Sequence, residues 1–67
     1  MPNSMLFVEQ AIRMLLKEEG PMERELLIRQ VYNDMKLPDL EPFIESTLGL
    51  MIGKNEVKFD EDGKLHL

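Results

Sequence analysis

Cysteine and tryptophan are absent from this 67-residue chain, and histidine occurs once. Without cysteine there is no disulfide, no thiolate zinc ligand and no thiol nucleophile, which fits a reducing compartment. His66 has no cysteine and no second histidine to work with, so neither a zinc site nor a nucleophile–base pair can be assembled around it. No glycine-rich phosphate loop occurs. Asp60, Asp62 and Gly63 match part of a calcium loop, but the bidentate glutamate that such a loop needs further on is missing, and the run reads as a hairpin turn. The expectation is a protein that is not an enzyme, with no catalytic residues, no cofactor and no metal.

Long apolar runs are lacking too. Met5 to Val8 is far too short for a signal core or a membrane span and is cut by Glu9, so a soluble, cytoplasmic protein with no membrane partner is expected. Positive charge is scarce: eight Lys and Arg stand against thirteen Asp and Glu, and the net charge of −5 argues against non-specific affinity for DNA or anionic membranes. The length suits a single domain over residues 1–67 with one small core, and domains of this size bury only about 60% of their unfolded surface.

Three helices are written in the apolar spacing. Ser4 is a candidate N-cap for a first helix running to about Glu19, with Val8, Ala11, Ile12 and Leu15 on one stripe and Phe7, Met14 and Leu16 widening it. Gly20-Pro21 ends that helix. Met22 is then extended, and a second helix is predicted from about Glu23 to Met35, with Leu27, Ile28, Val31, Tyr32 and Met35 facing inward and Met22 packing on Leu26 or Leu27. Leu37-Pro38 closes it, because the residue before proline is pushed out of the helical region.

The third helix lies in the stretch Asp39 to Gly53. Leu40, Phe43, Ile44, Thr47, Leu48 and Met51 form the stripe, Asp39 is the predicted N-cap, Pro42 sits in the first turn, and Gly53 is predicted in the left-handed position just past the end. The other face carries Glu41, Glu45, Ser46 and Gly49, with Leu50 off the main stripe. Gly49 costs roughly 1 kcal/mol relative to alanine inside a helix, which marks it as a place of close approach or of no packing demand.

After Gly53 the period changes from helical to alternating. Val57 and Phe59 alternate with Glu56 and Lys58; Asp60-Glu61-Asp62-Gly63 supplies turn residues; Leu65 and Leu67 alternate with Lys64 and His66. A β-hairpin is predicted, with Val57, Phe59, Leu65 and Leu67 all covering the helices. The fold class expected is therefore mainly α with a small β-hairpin, an α+β arrangement.

Helix, helix, third helix and terminal hairpin is the layout of a winged helix-turn-helix with a C-terminal wing. The segment VEQAIRMLLKEEGPMERELLIRQV, from Val8 to Val31, resembles the opening of the HARE-type helix-turn-helix found in the delta subunit of bacterial RNA polymerase. The shared features are Ala11, the Leu15/Leu16 pair, Gly20-Pro21-Met22 and Glu25-Leu26. The ending FDEDGKLHL is similar to a wing with its closing strand, with Leu65 where an aromatic residue often stands. Cullin tails have a similar layout, so function must be argued from the surface residues.

In a winged helix that reads DNA, the third helix would present Arg and Lys. Here its charges are Asp39, Glu41 and Glu45, and a carboxylate cannot donate to the phosphate backbone. The first expectation is thus a non-catalytic interaction module, associated through the resemblance with transcription or nucleic-acid machinery, that binds a protein partner or itself through Glu41, Glu45, Gly49 and Leu50 on the third helix and Met5, Leu6 and Met14 on the first. The alternative is a DNA-binding regulator using Lys54, Lys58 and Lys64 of the wing with Arg24 or Arg29. A third reading is an acidic mimic of nucleic acid on another protein.

Overall fold

Three helices followed by a two-stranded hairpin make up the computed structural model, which describes residues 4–36 and 39–67: α1 (Ser4–Glu19), α2 (Arg24–Met35), α3 (Glu41–Gly53), β1 (Lys58–Phe59) and β2 (Leu65–His66). Ser4 is already the first helical residue of α1 and not the residue before it, which corrects its predicted place as N-cap, and the predicted closure of α2 by Leu37-Pro38 lies outside the described residues. All three helices pack on one another. Between them lie Val8, Ile12, Leu15 and Leu16 from α1, Leu27, Ile28 and Val31 from α2, and Ile44, Leu48 and Met51 from α3. Met22, Val57 and Leu65 close this core from the hairpin side.

The Gly20-Pro21 break works through backbone geometry. Gly20 takes φ +80°, a left-handed value that glycine adopts without steric cost, and its N–H donates to Leu16 O at 2.9 Å to finish α1. The chain then runs extended through Met22, whose N–H donates to Leu65 O at 3.0 Å while Leu65 N–H donates to Met22 O at 2.7 Å. Met22 thereby forms an antiparallel bridge with β2, and the hairpin acquires a third, one-residue strand. The lateral order is Met22, β2, β1. A buried Met22, expected only as a side-chain staple, is therefore also a backbone element of the sheet.

Two predicted helix boundaries are displaced. Asp39 does not cap α3: it lies at φ +62°, and Leu40, already helical, precedes the helix without a side-chain cap. A capping carboxylate needs an extended backbone to reach back to the first-turn amides, and the left-handed turn at Asp39 denies it that. Gly53 stays helical, and the left-handed residue comes two positions later at Asn55, φ +63°, a residue type that tolerates this region. The extra turn lets Glu56 N–H donate to Met51 O at 2.9 Å and delivers Val57 into the core with no exposed surface.

The hairpin pairs Lys58 with His66 and Phe59 with Leu65. Its turn is a tight loop: Gly63 N–H donates to Asp60 O at 3.0 Å with Gly63 at φ +79°, and Asp60 Oδ1 accepts from the backbone N–H groups of Asp62 and Lys64, both at 2.9 Å. Its apolar face is only half buried, which corrects the prediction. Val57 and Leu65 are fully covered, whereas Phe59 is 52% exposed and Leu67 49%. Phe59 shares the inward face with Leu65, but β1 is the edge strand and no described element lies beyond it to cover the ring.

Candidate interaction surface

The widened stripe of α1 does not fit inside the core. Apolar residues point in more directions around this helix than one buried face can hold, and Phe7 and Met14, expected to extend the core, stand 65% and 61% exposed. They are seven residues apart, two helical turns, and so share one outward face. Leu67 of the wing comes alongside Met14, and together with Gln10, Arg13 and Lys17 these residues line an open hollow of about 480 Å³. Arg13 forms one wall and is held there by Glu9 on its own helix, at 3.4 Å, and by Glu56 at the base of the wing. This second ion pair links α1 to the base of the wing at the edge of the hollow.

Of the α1 residues expected to bind a partner, Met14 lies in this hollow, Leu6 is exposed on the same helix and Met5 is half-buried. Phe7 and Leu67 are the additions. Phe7 is one of nine apolar residues within α1, more than a stripe facing two neighbouring helices can bury.

The surface of α3 has a different character. Glu41, Ser46 and Gly49 are exposed, and Leu50 is 48% exposed. A Cβ added at Gly49 would meet nothing, so no close approach within the chain explains that glycine. Glu45 lies 3.4 Å from Arg24 of α2, and a shallow hollow of about 110 Å³ between the two helices is lined by Arg24, Glu25, Ile28, Arg29, Glu41 and Glu45. One of the two arginines considered for nucleic-acid contact therefore stands beside a carboxylate of the very helix that would enter a groove.

The wing lysines Lys54, Lys58 and Lys64 are all exposed, but Glu56, Asp60, Glu61 and Asp62 share the same segment and leave it without net positive charge. Among the described residues no cluster of three or more His, Cys, Asp or Glu could hold a metal ion, and no helix is long and apolar enough to cross a membrane.

The order of helices, the bridge at Met22 and the pairing of β2 with β1 define a winged-helix-like arrangement. No family model, no curated protein and no solved structure matches this chain.

Proposed function

We propose that this chain is a non-catalytic, winged-helix protein-interaction module, working within transcription or nucleic-acid machinery, that docks a protein partner on the outer face of α1. The observation that carries this reading is the pair Phe7 and Met14, both more than half exposed on one helical face and continued by Leu67 across an open hollow. Large apolar side chains gathered in this way are the usual anchors of a protein interface, with Gln10, Arg13 and Lys17 forming a polar rim. The electrostatics of α3 support a protein partner over a nucleic acid. Its exposed charges are Glu41 and Glu45, and Arg24 of the neighbouring helix stands 3.4 Å from Glu45.

Two measurements test the reading together. In nuclease-treated extract of the source cell, a partner captured by wild type should also be captured by Glu41→Gln/Glu45→Gln and lost by Phe7→Ser/Met14→Ser. In parallel, a duplex titration at low and moderate salt should show weak binding that disappears when Lys54, Lys58 and Lys64 are changed together to Gln. Tight, sequence-selective duplex binding that survives loss of the lysines would overturn the proposal.

A further inference from the structure

Among the described residues nothing pairs with the outer edge of β1, which presents a self-complementary strand, and we propose that two copies of this chain pair there, β1 against β1′, antiparallel about a two-fold axis through Phe59. This surface is separate from the α1 face, so the inference stands or falls independently of the protein-partner reading.

The backbone supplies the first part of the argument. Leu65 commits both its N–H and its carbonyl to Met22, on the far side of β2 from β1. Phe59, directly opposite Leu65, is therefore a non-hydrogen-bonded pair with it, in alternation with the Asp60 N–H that donates to Lys64 O at 2.8 Å. The N–H and carbonyl of Phe59 consequently point away from β2, toward the open edge. A second β1 laid antiparallel with Phe59 opposite Phe59′ receives both groups, and the two residues exchange a pair of N–H to O bonds across the axis.

Side chains supply the second part. In that register Lys58 falls opposite Asp60′ and Asp60 opposite Lys58′, as non-hydrogen-bonded pairs where side chains approach most closely. Both ion pairs lie on the outer face of the sheet, where Lys58 already stands beside His66. On the inner face, Met22, Leu65 and Phe59 form a row whose exposure runs 8%, 0% and 52%. Phe59′ would continue this row and cover the ring that the single chain leaves bare. Past Asp60 the chain leaves the strand direction, because Gly63 bonds back to Asp60, so the acidic turn residues are not forced against Glu56′. An unprotected edge is ordinarily blunted by charge against such pairing. Here a lysine and an aspartate flank the aromatic residue symmetrically, so a copy of the same chain is the partner that meets opposite charges at both positions.

The interface is small and the dimer is correspondingly weak, so sedimentation velocity should span about 10 μM to about 1 mM. Wild type should move from monomer to dimer over that range. Lys58→Glu places a glutamate opposite Asp60′ on both sides of the axis and should weaken association by about tenfold or more. A synthetic chain with N-methyl Phe59 loses only the outward-pointing donor; it should keep the wild-type melting temperature and remain monomeric. A wild-type monomer at every concentration, or a dimer that persists in the folded N-methyl chain, would overturn the proposal. An α1-face dimer would be recognised by the opposite pattern, abolished by Phe7→Ser/Met14→Ser and indifferent to N-methylation.

Discussion

Met22 and Leu65 exchange both of their backbone hydrogen bonds, so one residue ahead of α2 serves as the third strand of the sheet. Leu65 is consequently covered on both sides, by Met22 and by β1, while Phe59 has a neighbour on one side only. The two should differ sharply in energetic weight. Leu65→Ala is expected to cost about 2–5 kcal/mol, and Phe59→Ala less than about 1 kcal/mol, in urea unfolding at low micromolar concentration. A larger loss at Phe59 than at Leu65 would reverse the assignment of the wing's buried position.

Thr47 offers a gain. Its side chain is fully buried in the core face of α3, and Oγ1 has no hydrogen-bond partner. A buried, unsatisfied hydroxyl costs about 1–3 kcal/mol in lost hydration, and valine has nearly the same shape without it. Thr47→Val is expected to raise stability by about 1 kcal/mol, and Thr47→Ser, which keeps the hydroxyl and removes the methyl, to lower it by about the same amount. Thermal melts of the two variants beside wild type decide the matter, and a destabilised valine variant would show that the hydroxyl is satisfied after all.

Among the described residues two ion pairs join different parts of the fold and should rank by geometry. Arg13 reaches Glu56 at the base of the wing with both side chains partly covered, whereas Arg24 and Glu45 stand 3.4 Å apart and nearly half exposed. A double-mutant cycle should give a coupling of about 0.5–1 kcal/mol for the first pair and within about 0.3 kcal/mol of zero for the second, with added salt eroding the first. Equal couplings would mean that the contact with Glu56 adds nothing to the closure of α1 on the wing.

Backbone sign, without any packing change, governs the turn after α1. A Cβ placed on Gly20 meets no atom within 4 Å, yet φ there is +80°. Gly20→Ala should therefore cost about 1–2 kcal/mol through conformation alone, while Asn55→Gly, at a site already left-handed, should stay within about 0.5 kcal/mol of wild type. Chemical denaturation of the pair checks both.

Much of this architecture is legible in the chain because helical periods and turn residues act locally. The stripes of α2 and α3, the glycine that ends α1 and the Asp60-to-Gly63 turn each follow from a few neighbouring residues. What depends on lateral neighbours was not legible. Alternation separates the two faces of the wing, but it does not reveal that β1 lies at an edge, so Phe59 and Val57 read alike although one is half exposed and the other fully covered. The outward Phe7 escapes the sequence for a related reason. Periodicity gives the direction of each side chain, and only the number of packed neighbours says how wide a sector is covered. Asp39 and Gly53 read as caps by residue type, yet Asp39 is itself the left-handed residue before α3, and the left-handed residue after it is Asn55.

The bridge between Met22 and Leu65 also orders events in time. Helices gain their contacts from nearby residues, whereas this bridge joins the start of α2 to the last strand and requires closure of nearly the whole intervening chain. The sheet should therefore form after the helices have condensed, so that destabilising Leu65 accelerates unfolding and leaves the refolding limb almost unchanged, with a φ-value near zero. The wing is then the part of the molecule that opens first, and amide exchange at Met22 and Leu65 reports that opening from both of its sides.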